Sequence, residues 1–329
     1  MFTRHLRAVD MAISGDEHRL LYRIAQAHYE DGLTQQQIAE RFGVSRPKVS
    51  RLLQRAKRER VVTITLVPPA GCFPDLERGL EQRYGLDEAI VVSVTDPSDL
   101  TAVKRELGPA AADWLVRSIH GDEVVALAWG LSILSMAEAL PTRRFPGVTV
   151  VQLLGGLGPV DDLEHSAELT RRVAQRLGAR LRLLPAPGIV SSREAAQALR
   201  ADRRIAETLA LAARADIAVV GIGILSPDTV LLREGVIVTQ RDLDVLRQAG
   251  VVGDVILRYL DANGTPLDLE INERIVGLTL QQLRQVPRVM GIAGGEAKHA
   301  VVRAALRGGL LDVLVTDHVT AQSLLDEAG

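Results

Sequence analysis

Between Arg41 and Arg60 the chain carries eight basic side chains, Arg41, Arg46, Lys48, Arg51, Arg55, Lys57, Arg58 and Arg60, against the single acid Glu59. Cations packed this densely at helical spacing suit ion pairs with phosphate oxygens and bidentate contacts to base edges. A solvated charged face would normally mix signs, and this one does not. A second set of candidates lies further along, in four glycine-rich turns: Ala128-Trp129-Gly130-Leu131-Ser132, Leu154-Gly155-Gly156-Leu157-Gly158, Gly221-Ile222-Gly223 and Ala293-Gly294-Gly295-Glu296-Ala297-Lys298. Glycine lets a backbone approach a ligand closely, and a lysine one turn into a helix adds a charge beside free N–H groups, as phosphate sites do. Taken singly, each turn is equally a tight strand-to-helix connection. Asp254, after Gly253, is an acceptor for sugar hydroxyls or a turn residue, and His165 is a ligand contact or a helix cap.

The elements that must position the first set follow from spacing. With Gln35 as position one of a helix-turn-helix, apolar or small residues fall at Ile38, Ala39, Phe42, Val44, Val49 and Leu52, with Gly43 in the turn. Two helices crossing at roughly 90–120° need a small residue at the contact, which Ala39 supplies. They also need a turn residue that tolerates positive φ, which Gly43 supplies. Ser45 is placed to cap the second helix through its side-chain oxygen, and Pro47 sits in the first turn, where a missing N–H costs little. With Val49 and Leu52 inward, Arg46, Lys48, Ser50, Arg51 and Gln54 face outward, where a recognition helix reads a major groove. Thr34, Gln35, Ser45, Arg46, Lys48, Ser50, Arg51 and Arg55 are the expected DNA-binding residues. Residues 17–30 read as a supporting amphipathic helix. Residues 61–68 (VVTITLVP) alternate and are β-branched, so a strand, either a wing or a connection, is expected.

Charge divides the chain in the same way. Residues 1–70 hold twelve Lys and Arg against seven Asp and Glu, whereas residues 71–329 hold 27 against 34. Only the small part is basic, which suits a specific regulator better than a general nucleic-acid coat. Pro68, Pro69 and Gly71 break regular structure, so the expected domains are 1–67, binding DNA, and 68–329, binding an effector and forming oligomers. In the long domain short apolar strands alternate with helices: strands near 88–94, 123–128, 148–154, 181–184, 217–221, 288–293 and 313–316, and helices near 75–84, 101–119, 131–140, 163–177, 202–213, 242–248, 296–306 and 319–327. Such alternation implies a mostly parallel α/β sheet. One segment departs from it. Residues 251–271 have two extended arms around Asn263-Gly264, a pair suited to a type I′ turn, so an antiparallel ribbon is expected there.

No GxSxG, HExxH, CxxC or Walker motif occurs, so no catalytic residue, metal ligand or cofactor is assigned. Cys72 is the only cysteine and asks for no oxidising compartment. The opening MFTRHLRAVDMAIS lacks an apolar signal core, and the uncharged run 124–137 is shorter than the roughly 20 residues of a membrane helix. A cytoplasmic location without membrane partners is expected.

The motif order GLTQQQIAERFGVSRPKVSRLLQRAKRERVV, LPAPG at 184–188, VGIG at 220–223, VGDV at 252–255 and AGGEAKHAVVRAALRGGLLDVLVTD at 293–317 resembles the SorC family of bacterial transcriptional regulators. The resemblance implies a DNA-binding head and a sugar-binding domain similar in fold to glucosamine-6-phosphate isomerase and ribose-5-phosphate isomerase. It further implies a regulator of carbohydrate-use genes, commonly tetrameric, whose DNA binding responds to a sugar or sugar phosphate. By motif, Gly130 and Ser132 lie in the effector loop, Asp254 faces the sugar, and Lys298 meets its phosphate or acidic group. Gly155, Gly156, His165, Gly294 and Gly295 complete the expected effector set. Leu131 and Leu154 stand where phosphosugar-binding relatives often carry polar or cationic residues, which leaves a neutral sugar or polyol open. A single head covers few base pairs, so a dimer or tetramer on double-stranded operator DNA is expected. The alternative function is a sugar-phosphate isomerase or deaminase with an appended head, although no paired acid and base can be assigned. A third reading makes the head a protein-interaction module.

Overall fold

The computed structural model describes residues 15–65, 67–69, 71–156, 166–225 and 240–326. The chain packs as two compact units, Met1–Val67 and Pro68–Gly329.

The first unit is built from α1 (Gly15–Tyr29), α2 (Gln35–Phe42) and α3 (Arg46–Arg58). Leu21 and Ile24 of α1, Ile38 and Ala39 of α2, and Val49, Leu52, Leu53 and Ala56 of α3 make one apolar core. Thr34 and Gln37 form a capping box that opens α2: Thr34 Oγ1 accepts from the Gln37 N–H at 3.3 Å and Gln37 Oε1 accepts from the Thr34 N–H at 2.9 Å. Gly43 ends α2 in the left-handed region, φ 63°, with its N–H on Ala39 O, so the turn takes the form its glycine anticipates.

Two expectations for this unit are corrected. Ser45 occupies the N-cap of α3 with an extended backbone, but its side chain makes no capping hydrogen bond. Pro47 has already removed one N–H from that turn, so less is left to satisfy. The strand expected over 61–68 is absent from the described residues. Instead the Val61 and Val62 N–H groups both turn back to Ala56 O, at 2.9 and 3.2 Å, and both side chains pack on the helical core. With no neighbouring strand to pair with, Ile64 stays 55% and Val67 85% exposed. β-Branched alternation reports a pleated surface only where a partner exists.

The second unit opens with α4 (Pro74–Tyr84) and β1 (Glu88–Val92), then continues through α5 (Leu100–Ser118), β2 (Val124–Leu127), α6 (Leu131–Ala139), β3 (Thr149–Gln152), α7 (Ser166–Leu177), β4 (Arg180–Arg182), α8 (Arg193–Ala201), α9 (Arg203–Ala212) and β5 (Ile217–Gly223). After helix Gln240–Gln248 come β6 (Gly253–Val255), β7 (Arg258–Leu260), β8 (Val289–Ile292), helix His299–Arg307, β9 (Val313–Asp317) and helix His318–Asp326. The strands lie in the order β1-β9-β8-β5-β2-β3-β4, all parallel, with β6 and β7 added antiparallel at the end of β5. β3, β8 and β9 are buried along their whole length, as strands covered by helices on both faces must be. From the central pair β2 and β5 the chain winds outward in opposite directions, which makes a topological switch point between them.

The elements match the alternation read from the sequence, with one relocation and three added helices, α8 and the short helices Glu270–Glu273 and Leu280–Leu283. Helix α8 was not anticipated; Ser192 caps it by accepting from the Ala195 N–H at 3.2 Å. The expected ribbon exists, but its turn falls at Ile256-Leu257, not at Asn263-Gly264. Both residues adopt positive φ, 51° and 63°. Asp254 Oδ2 holds the turn by accepting the Leu257 N–H at 2.9 Å. Asn263-Gly264 closes a separate small turn in which Asp261 Oδ1 accepts from the Asn263 and Thr265 N–H groups. The ribbon's register on β5, Ile222 with Val255 and Gly223 with Asp254, sets where the chain must reverse, so tertiary pairing overrides local turn preference.

Candidate functional site

On the head, Arg46, Lys48 and Arg51 are exposed along the outer side of α3, Ser50 is half-buried between them, and Gln54 extends the same face. None of these three cations has an ion-pair partner among the described residues. Arg55 differs. Its Nη1 donates to Glu17 Oε1 at 2.8 Å and its Nε to Glu59 Oε1 at 2.6 Å, tying α3 to α1 and raising its pKa through those two bonds. Arg55, expected among the DNA-binding residues, is thus engaged by two carboxylates of the head itself. Thr34 spends its side chain on the capping box, and Gln35 sits half-buried at the first position of α2.

In the second unit a cavity of about 280 Å³ opens beyond the carboxyl ends of β2, β3, β5 and β8, beside the switch point. This is where open α/β sheets bind ligands. Much of the wall comes from strand-to-helix turns. Trp129, Gly130 and Leu131 follow β2, Leu154 follows β3, Ile222 and Gly223 end β5, and Lys298 follows β8. The β6–β7 turn adds Asp254, Ile256 and Leu257, and the first turns of α5 add Leu100 and Lys104. A larger open groove of about 830 Å³ runs beside edge strand β4 and α9, with Arg182, Arg204 and Arg214 on its exposed walls. Its buried polar side chain, Thr208, donates its hydroxyl to Arg204 O at 2.9 Å, and none of its charged side chains is buried.

The cavity places one carboxylate, Asp254, and two ammonium groups, Lys104 and Lys298, in mostly apolar surroundings. Lys298 is 7% exposed and its Nζ donates to Ile222 O at 2.6 Å. Burial pushes the Asp254 carboxyl up to about 6, an effect moderated by the Leu257 N–H and the Lys298 charge. Burial likewise brings Lys298 down to about 8, assisted by the like charge of Lys104 and opposed by Asp254. Near pH 7 both groups are charged, and each titrates within about a unit. The paired left-handed residues Ile256 and Leu257 cost of order 1–3 kcal/mol each, a strain found where a fold over-determines a functional turn. Trp129 is fixed by donating its indole N–H to Gly155 O at 3.0 Å.

Of the expected effector residues, Gly130, Ser132, Asp254 and Lys298 come together in this cavity. Gly155, Gly156, Gly294 and Gly295 do not line it. A Cβ on Gly155 would lie 2.5 Å from Pro187 O, and Gly156 exchanges hydrogen bonds with Ala186 and Gly188. A Cβ on Gly294 would meet Asp317 Oδ2 at 2.3 Å, while the Gly295 N–H donates to Asp317 Oδ2 at 2.7 Å and to Thr320 Oγ1 at 3.0 Å. These glycines serve close packing of the protein on itself, and the Gly295 N–H expected to meet a ligand is already bonded. The helix expected from 296 begins instead as a 3-10 turn, Glu296–Lys298, which carries Lys298 into the cavity. His165 lies outside the described residues. Lys104, Trp129, Ile256 and Leu257 line the site without having been singled out as effector residues. Only the ribbon's register could have pointed to the last two.

A helix-turn-helix head joined to an α/β body with a cavity at its switch point defines a two-domain, ligand-responsive DNA-binding regulator. The comparisons agree. Residues 68–326 match Sugar-bind, a family of sugar-binding domains, and residues 13–71 match the MarR family. The chain is 31% identical over 312 residues to the deoxyribonucleoside regulator of Bacillus subtilis, covering 95% of this chain and 99% of that one. It is 35% identical over 322 residues to the transcriptional regulator LsrR of an Enterobacter species, covering 95% and 94%. The full-length sorbitol operon regulator SorC from Klebsiella pneumoniae superposes with a TM-score of 0.72 at 30% identity, over 94% of this chain and 100% of that one. The chain belongs to the SorC family of bacterial transcriptional regulators. Among the described residues no helix is long and apolar enough to cross a membrane.

Proposed function

We propose that this protein is a sequence-specific regulator of carbohydrate-use genes whose DNA affinity is set by a sugar or sugar phosphate bound at the β2/β5 switch point. The observation that carries the reading is the convergence of Asp254, Lys298, Ser132 and Gly130 on one cavity in a chain that also presents Arg46, Lys48 and Arg51 on an exposed recognition helix. Ser50, together with Thr34 and Gln35 at the start of α2, supplies nearby phosphate contacts. Asp254 accepts sugar hydroxyls and Lys298 donates to an oxygen or an anionic group. The regulators of Bacillus subtilis and Klebsiella pneumoniae are named for deoxyribonucleosides and sorbitol, which supports a carbohydrate-derived effector. Paired heads on half-sites about 34 Å apart, or a multiple of that, call for a dimer or a tetramer, acting in the cytoplasm as a repressor or an activator. No catalytic step is part of this role.

A thermal-shift screen of sugars and their phosphates tests the effector half, because a ligand that binds only the folded form raises the melting point. The stabilising ligand is expected to act best between pH 6 and 8. Below about 6 Asp254 gains a proton and stops accepting on that oxygen; above about 8 Lys298 loses its charge. A shift that is flat from pH 5 to 9 would remove both groups from the contact.

One observation favours a second reading. A carboxyl and an amine that both titrate near neutrality in one cavity are also what proton-transfer sites contain. Aldose–ketose interconversion of ribose 5-phosphate by the purified chain would establish an isomerase.

A further inference from the structure

We propose that the second unit encloses a chloride-sized anion, seated on Arg258 beside Arg200, which ties β7, α8 and the short helix Glu270–Glu273 together. Arg258 lies on β7, directly after the Ile256-Leu257 turn, and is 8% exposed. Its Nε donates to Leu278 O at 3.2 Å and its Nη1 donates to Asn272 O. The remaining nitrogen, Nη2, is buried and has no partner among the described residues. The site is separate from the switch-point cavity, whose lining includes neither arginine.

A buried cation normally meets a carboxylate, because carbonyl oxygens satisfy its hydrogen bonds without cancelling its charge. Arg258 meets none among the described residues. The acids bonded in this region are engaged elsewhere, Glu273 with Arg193 at 3.2 Å and Asp242 with Arg274 at 2.9 Å. A second cation adds to the imbalance. Arg200 of α8 donates through Nη2 to Glu273 O at 2.7 Å, the carbonyl next to the one that Arg258 holds, and makes no ion pair of its own among the described residues. Burial, with the Arg200 charge as a further cause, brings Arg258 down to about 10. Two guanidinium groups thus converge on consecutive carbonyls with no acid between them.

The same turn holds two more buried atoms without a partner among the described residues, Asn272 Oδ1 and Arg274 Nε. An ordered water satisfies an acceptor such as Asn272 Oδ1. Placed on Arg258 Nη2, however, a water would accept the hydrogen bond and leave both positive charges uncompensated. An anion supplies the acceptor and the charge together. Ile271, Ile275, Val276 and Leu278 are all buried along the segment that carries these carbonyls, which favours a monatomic anion over a phosphate.

Bromide is the probe, since it replaces chloride and scatters anomalously. Crystals of the full chain grown in sodium gluconate and soaked in sodium bromide are expected to show an anomalous peak within hydrogen-bond distance of Arg258 Nη2. In solution at fixed ionic strength, the melting temperature is expected to rise to a plateau as chloride or bromide replaces gluconate, because the ion binds only the folded form. Arg200→Gln, which keeps Arg258 in place, is expected to shift that halide dependence to about tenfold higher concentration, the effect of losing one charged partner. Arg258→Met is expected to abolish it; because that change also strands two carbonyls and can unfold the domain, the bromide position and Arg200→Gln carry the decision. Density at Arg258 Nη2 without anomalous signal identifies a water and overturns the proposal. A peak confined to exposed arginines is an adventitious ion only and overturns it as well. So does a melting temperature that follows ionic strength alone, whatever the crystal shows, or a halide dependence unchanged in Arg200→Gln.

Discussion

Arg51→Ala is expected to weaken binding to the operator by about 1–3 kcal/mol, roughly 5- to 150-fold, while the melting shift produced by the effector stays as in the parent. Arg51 projects from the outer side of α3 and is exposed, with Arg46 and Lys48 on the turn before it. It makes no ion pair among the described residues, so its removal leaves no buried charge behind. Arginine and alanine are both good helix formers, so the head itself is little disturbed. The informative control is Arg55→Ala. That residue bridges Glu17 and Glu59, and losing it should loosen α1 from α3 and lower the stability of the head. If Arg51 meets a phosphate, the variant also shows a salt slope shallower by about one; if it reads a base, the loss concentrates at one operator position. Equal operator affinity in Arg51→Ala and the parent would exclude Arg51 from the contact surface.

Gly223→Ala is expected to abolish the effector response and to destabilise the second unit by about 1–3 kcal/mol. The added Cβ would lie 2.1 Å from Asp254 Oδ1 and 2.9 Å from its carboxyl carbon. The Asp254 side chain has little freedom to retreat, because its other oxygen holds the Leu257 N–H and its backbone is paired opposite Gly223. Displacing the carboxylate therefore removes the sugar acceptor and releases the strained Ile256-Leu257 turn in one step. Gly221→Ala, on the same strand, is the matched comparison: its Cβ meets only Trp129 O, at 3.8 Å. Thermal melts with and without effector should show the Gly223 variant unresponsive and the Gly221 variant stable. A Gly223 variant that keeps both stability and response would mean that the carboxylate position does not matter.

The parts of this molecule that were legible in the sequence are those with strong local periodicity. The two helices flanking Gly43, the alternating βα units and the position of Lys298 after a strand all follow from spacing and glycine placement. The failures have a common physical origin in long-range pairing. Residues 61–65 alternate as a strand but have no partner, so Val61 and Val62 fold onto the helical core instead. Asn263-Gly264 is the better turn sequence, yet the register of the ribbon on β5 moves the reversal to Ile256-Leu257 and lets Asp254 stabilise it. Gly294 and Gly295 look like a phosphate loop because glycine is needed there, but the need comes from Asp317 and Leu100 pressing on the backbone. Lys104 was invisible because nothing local in α5 tells which helix will reach the switch point. A glycine motif thus announces a close approach without saying what approaches.

The central claim is that one chain binds a duplex through α3 and alters that binding when its cavity fills. Fluorescence anisotropy tests it most directly, using a labelled duplex from the region upstream of the chain's own coding sequence, titrated with the full chain with and without the ligand that most raises its melting point. The account predicts tight, steeply salt-dependent binding in one condition and an affinity changed about 5- to 150-fold in the other. Identical titration curves with the cavity filled and empty, or no binding in either condition, would contradict it.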